Sequence, residues 1–322
     1  MFLGSSVCAQ TAGVAVQVSN GKRIPSVTQL QTVLKPGDFV RDVLGWRKVD
    51  PKCDLRSDPA LPIAIPPAMQ TLYSNVAAAG GRNFVTLAFN NIKCGQLAND
   101  GGHAFPDTPE LRAEFAAYAV GVVKQVPALG GVSLWNEMNG TWSGGYKTEA
   151  DKLRAYCLLA NAVIGEIRKV DANIPIAIGA TVGADVDRWF IDMFDVYGCT
   201  GKGDPTIWLD VHPYLSGKKI FPRQTDWVVW SDSVRNIRAD QITNPLIATE
   251  WGAKAAYLWS TAHPRSNYMK VFNDRVVSQD PAVAGFIWFE MLYDKAALHA
   301  GLFDEAGNLT AFGGQYISAF VR

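Results

Sequence analysis

Eight short runs of apolar and β-branched residues recur from one end of the chain to the other. They cover 13–18, 39–43, 84–89, 132–135, 176–178, 207–211, 246–248 and 285–288. Most are apolar nearly throughout instead of alternating with polar residues, which is the pattern of strands buried on both faces. Longer amphipathic stretches lie between them, and strands alternating with helices give βα units around a parallel sheet. Eight such units predict a closed (β/α)8 barrel of the α/β class. The chain has 322 residues, a size at which such barrels are commonly a single domain. No repeat, low-complexity tract or Gly/Ser linker marks a second unit. The barrel is expected to occupy 11–322.

Two of the helices are well marked. Thr108-Pro109-Glu110 supplies an N-cap, a first-turn proline and an early acid, and Leu111, Phe115, Tyr118, Val122 and Val126 then form one apolar face. After the fourth strand, Thr148 and Asp151 stand at capping-box spacing. Leu153, Tyr156, Ala160, Val163, Ile164 and Ile167 follow at helical intervals until Asn173-Ile174-Pro175. The loops 45–61 and 90–108 are long and rich in Asp, Asn, Pro and Gly. Both follow strands, so in a barrel both belong to the face that carries ligands.

Thirty basic residues balance thirty acidic ones with no Lys/Arg run, which argues against a nucleic-acid partner. No stretch of eighteen apolar residues occurs, so no membrane span is expected. Val7-Cys8-Ala9 has the small-residue character of a leader cleavage site, and 1–10 are read as a possible remnant of a signal peptide. Without Cys8 four cysteines remain, an even number that permits two disulfides in a secreted or periplasmic protein. Cys53 and Cys94 follow neighbouring strands and are predicted to pair. Cys157 and Cys199 are the candidates for a second bridge. Several aromatic residues (Trp46, Trp142, Tyr146, Tyr214, Trp251, Trp259, Tyr293) fall just after strands. There they serve either as core filler or as platforms for a sugar.

The most informative residues end strands four and seven. Gly131-Val-Ser-Leu-Trp-Asn-Glu-Met-Asn139 sets Asn136 and Glu137 directly after apolar strand residues, and Leu246-Ile-Ala-Thr-Glu-Trp-Gly252 does the same for Glu250. Either glutamate alone could be a solvated loop residue. Two strand-end carboxylates facing one mouth are what glycoside hydrolysis needs, since one protonates the departing oxygen while the other attacks or stabilises the anomeric carbon.

Asn-Glu after strand four and Glu after strand seven resemble the signature of clan A glycoside hydrolases. Phe39-Val-Arg-Asp-Val-Leu-Gly-Trp46 and Leu134-Trp-Asn-Glu-Met-Asn139 are most similar to family 39 and its exopolysaccharide-hydrolase relatives, with family 5 second. The resemblance implies a retaining hydrolase of β-glycosidic bonds with Glu137 as general acid/base and Glu250 as nucleophile. Asn136 would then hold the sugar 2-hydroxyl. His212 and Tyr214, in Trp208-Leu-Asp-Val-His-Pro-Tyr214, resemble the clan's His-x-Tyr pair, with Tyr214 donating to Glu250. Arg41 resembles the arginine beneath the nucleophile; its alternative is a salt bridge to Asp42 or Asp210. Trp288 is similar to the sugar-stacking tryptophan, with core packing as the alternative. Asn90-Asn91 stands where many family 5 members carry histidine, which departs from that pattern.

The expected partner is therefore a poly- or oligosaccharide, cut internally, since the two long loops are expected to flank an open groove; the alternative is cleavage from the end in a pocket closed by the same loops. No cofactor is expected. The four histidines (His103, His212, His263, His299) show no metal-ligand spacing, and no Gly-rich loop for a phosphate follows strands seven or eight. A rival of another class is a non-catalytic sugar-binding barrel, which has no need of both glutamates.

Overall fold

The computed structural model describes residues 10–95, 104–141, 143–183, 185–213, 224–252, 273–274, 283–292 and 301–321. Eight parallel strands form a closed barrel in sequence order: β1 (Thr11–Ala15), β2 (Phe39–Gly45), β3 (Arg82–Ala88), β4 (Leu129–Leu134), β5 (Ile176–Val182), β6 (Ile207–His212), β7 (Leu246–Trp251) and β8 (Val283–Trp288), with β8 pairing back on β1. Between them run α1 (Val27–Val33), α2 (Pro67–Ala78), α3 (Pro109–Gln125), α4 (Glu149–Arg168), α5 (Asp187–Asp195) and α6 (Gln224–Ala239), and α7 (Ala311–Tyr316) follows β8.

The two well-marked helices start where their caps place them. The Thr108 hydroxyl accepts from the Leu111 amide at 3.2 Å with Pro109 in the first turn, and Thr148 accepts from the Asp151 amide at 3.1 Å. Each hydroxyl satisfies one of the donors that a helix start leaves open. The first strand differs from expectation. It begins at Thr11 and ends at Ala15, while Val18 opens a short 3-10 turn closed by Gly21 at φ 82°. Val18 is apolar because it packs in the core and not because it belongs to the sheet.

Two cores result. The larger lies between sheet and helices. The smaller fills the barrel with Ala15, Phe39, Phe84, Ala177, Ile247 and Ile287, against which Trp208 and Phe289 pack. Phe39 and Phe84 lie 5.2 Å apart between ring centres, and Trp208 stacks on Phe84 at 6.4 Å. A side chain at Gly131 would bring its Cβ within 2.7 Å of the Phe84 ring, so only glycine lets that ring fill the interior.

Because strand side chains alternate with a period of two, this aromatic layer determines what lies above it. Two residues beyond Phe39, Phe84, Gly131, Trp208 and Ile247 stand Arg41, Thr86, Ser133, Asp210 and Thr249, and His212 follows Asp210 at the same interval. All six are buried. A layer of apolar rings at the bottom thus supports a polar layer at the C-terminal end of the barrel.

Candidate active site

Glu250 leaves this alternation, since Thr249 already faces inward. The β7–β8 register shifts between Ala248 and Trp251, and such an irregularity re-aims the side chain it holds. Glu250 reaches the polar layer, where Arg41 Nη1 donates to its Oε1 at 2.5 Å. Arg41 Nη2 donates to Asn136 Oδ1 at 2.8 Å and its Nε to Thr86 Oγ1 at 2.9 Å. One guanidinium therefore spans the ends of β3, β4 and β7. Of the carboxylates open to Arg41 in the sequence, it bonds Glu250 and not Asp42, whose own oxygens accept from the Ser19 amide and hydroxyl and from the Val43 amide.

The segment after β4 turns sharply. Trp135 has φ 72° and Glu137 φ 47°, a left-handed conformation that costs non-glycine residues energy and persists only where the surroundings fix it. The indole of Trp135 lies edge-on to Phe105 at 4.9 Å and Phe89 at 5.9 Å, while its amide donates to Leu87 O at 2.9 Å. The Gly140 amide and the Ser143 hydroxyl both donate to Glu137 O, at 2.8 and 3.1 Å. This clamp aims Asn136 and Glu137 together into the mouth.

His212, with no exposed surface, lies between the two glutamates. Its Nδ1 is 3.2 Å from Glu137 Oε1 and 3.7 Å from Glu250 Oε2. Its Nε2 is 3.0 Å from Thr249 Oγ1, and Thr249 donates to Asp210 Oδ1 at 2.5 Å. Ser133 donates to the other Asp210 oxygen. Burial works against a charge on His212, but Glu250, the hydrogen bond to Glu137 and Asp210 outweigh it despite Arg41, so the imidazole pKa is raised. Burial likewise pushes the Asp210 carboxyl up, against the lowering effects of His212, Ser133, Thr249 and Arg41.

The glutamates keep 12% and 10% of their side-chain surface exposed, enough to meet a ligand. One donor atom each from Glu137, His212 and Glu250 lies within 4.8 Å of the others. That spacing could suit a cation, but the Arg41 guanidinium already supplies the positive charge here. Among the described residues the other such group is Cys53, Cys94 and Glu114, whose sulfurs are joined to each other.

The structure thus brings together Arg41, Asn136, Glu137, His212 and Glu250. Tyr214 lies outside the described residues. The aromatic expectations fare differently. Trp46, the residue directly after β2, is fully buried, edge-on to Phe115 at 5.5 Å. Trp251 and Trp288 are fully buried too, 4.6 Å apart, with Trp288 stacked on Phe312 of α7. All three belong to the outer core, because they occupy positions whose side chains leave the barrel interior. The residue that shares the inner face with Ile287 is Phe289, which is only partly buried. Thr86, Ser133, Asp210 and Thr249 were not singled out as site residues from the sequence. Their signal is polarity within otherwise apolar strands.

The cysteines pair as Cys53–Cys94, joining the loops after β2 and β3, and as Cys157–Cys199, joining α4 to the segment after α5. Beside the first bridge Arg56 binds Glu114 at 2.8 Å. No helix among the described residues is long and apolar enough to cross a membrane.

No protein-family model matches the chain, and its sequence matches no curated protein. Solved structures do resemble it. A family 39 glycoside hydrolase from the gut symbiont Bacteroides cellulosilyticus WH2 aligns with a TM-score of 0.64 at 17% identity, over 96% of this chain and 63% of that one. An exo-β-1,4-mannosidase from Opitutaceae bacterium strain TAV5 aligns with a TM-score of 0.63 at 15% identity, over 100% of this chain and 62% of the other. A β-glucuronidase from Bacteroides uniformis gives 0.60 at 12% identity, over 97% and 35%. The chain therefore spans less than two thirds of the length of each. At these identities the shared property is the (β/α)8 barrel.

Proposed function

We propose that this barrel is a retaining glycoside hydrolase acting on β-linked sugars, with Glu250 as nucleophile and Glu137 as general acid/base. The observation that carries the reading is the pairing of two carboxylates with unlike surroundings at one barrel mouth. Glu250 is held by the buried Arg41, which favours the ionised form that a nucleophile needs. Glu137 instead faces the imidazole of His212, a group able to share a proton with it. One carboxylate oxygen of each lies within 4.8 Å of the other, the close approach that direct attack requires. Direct attack suits carboxyls roughly 5 to 5.5 Å apart, whereas about 6.5 to 9.5 Å leaves room for the water of an inverting enzyme.

In the first step the Glu250 oxygen bonds to the anomeric carbon as the glycosidic bond breaks, and Glu137 gives its proton to the leaving oxygen. In the second, water attacks the ester while Glu137 takes the water's proton. Asn136, held by Arg41, bonds the hydroxyl beside the anomeric carbon in this reading, and Phe289, on the inner face, serves as the aromatic contact for the ring. Internal cleavage of a polysaccharide, including bacterial exopolysaccharide, is the finer reading. It rests on the length of the two loops after β2 and β3, which the Cys53–Cys94 bridge ties together. Two disulfides suit an oxidising compartment, so a secreted or periplasmic site of action fits the same reading.

The test is incubation with a panel of β-glycans and exopolysaccharides, followed by sizing of the products. Oligosaccharides are expected, and single sugars would replace internal with terminal cleavage. Glu250→Ala should be inactive on every substrate that the wild type cuts, with azide restoring activity by filling the vacated space. Near-normal turnover by that variant would overturn the assignment.

A further inference from the structure

His212 is wholly buried behind the two glutamates, and the groups on its far side determine which of its nitrogens carries hydrogen. Both Asp210 oxygens accept, one from the Ser133 hydroxyl and the other from the Thr249 hydroxyl at 2.5 Å, the pattern of a carboxylate, which turns the single Thr249 hydrogen toward Oδ1. Thr249 Oγ1 then has only lone pairs for His212 Nε2 at 3.0 Å, so Nε2 must carry a proton. Ser133 occupies the other Asp210 oxygen and holds the carboxylate in place. What remains on the active-site side is Nδ1, 3.2 Å from Glu137 Oε1.

We propose that Asp210 and Thr249 are positioning residues that lock His212 as the Nε2–H form, so that Nδ1 and Glu137 hold the catalytic proton jointly. The inference rests on the reading of Glu137 as acid/base. The proton sits either on Glu137, donated to a neutral Nδ1, or on Nδ1, donated to a Glu137 carboxylate; the charge of the site is the same in both. When the glycosidic bond breaks, the proton passes through Glu137 to the leaving oxygen, and imidazole and carboxylate are left neutral and ionised. Esterification removes the Glu250 charge, the strongest of the influences favouring a protonated His212. His212 then binds a proton less tightly until water supplies one to Glu137 and hydrolysis restores Glu250. Among the described residues, charged groups facing His212 include Glu250 from β7, Glu137 from the β4 segment, Asp210 from its own strand and Arg41 from β2.

Two readouts test this. In protein labelled with 15N-histidine, compared with His212→Gln for assignment, the Nε2 of His212 should show a directly bonded proton throughout neutral pH. Thr249→Ser, which keeps the hydroxyl, should preserve that signal and the pH profile, while the near-isosteric Thr249→Val should lose the fixed tautomer. Asp210→Asn removes a negative charge 4.0 Å from the ring. It should therefore move the alkaline limb of the rate profile to lower pH, by roughly one unit. The proposal is overturned by a bare Nε2 in the wild type, or by Thr249→Val matching Thr249→Ser in both readouts. The Thr249 pair decides the matter if Asp210→Asn does not fold. Failure of all glycans to react, with the Nε2 proton in place, would overturn the glycosidase reading and leave the locked tautomer standing.

Discussion

Removing the guanidinium of Arg41 strands several partners at once: Glu250 loses its ion pair, and Asn136 and Thr86 lose donors. Breaking a buried pair from one side costs roughly 3–5 kcal/mol because the remaining charge stays uncompensated. Arg41→Met should therefore lower unfolding stability by about that amount in urea and should abolish turnover. A loss below ~1 kcal/mol would show that the pair contributes as little as an exposed one. At this scale the sequence made the charged residues visible, since an arginine inside an apolar strand is costly without a carboxylate partner and two carboxylates that end strands of one barrel face one mouth. The hydroxyls of Thr86, Ser133 and Thr249 gave weaker signals, because threonine and serine sit in strands for many reasons. Trp288 and Phe289 end one continuous apolar run, and only the inner face that Phe289 shares with Ile287 distinguishes them, which the sequence does not display.

At the scale of elements, the Cys157–Cys199 bridge closes a separation of 42 residues between α4 and the segment after α5, and it acts chiefly by restricting the unfolded chain. Replacing both cysteines by alanine should lower stability by about 2–4 kcal/mol and leave turnover unchanged, because the bridge lies on the helical layer. Thermal melting with and without reductant measures this, and an unchanged midpoint would refute it. Helices α3 and α4 were legible in their starts because caps and prolines are local signals. Strand ends were less so. β7 continues through the irregularity at Ala248–Trp251, a deviation that depends on its pairing with β8 and leaves no mark in its own residues.

For the molecule as a whole, the eightfold alternation was enough to indicate a barrel, because a parallel sheet of eight βα units covered by helices satisfies every edge by closing on itself. The polar layer above the aromatic one was not legible, since it follows from the register between strands. Closure also brings the ends of β4 and β7 together across the mouth, and the central claim depends on that approach. Its most direct test is proton NMR of the reaction from the first turnovers, on whichever β-glycan the panel identifies. Direct attack by Glu250 predicts a first-formed product with the substrate's own β configuration, which mutarotates only later. A first-formed α anomer would mean that water attacks directly, and the assignment of Glu250 as nucleophile would be wrong.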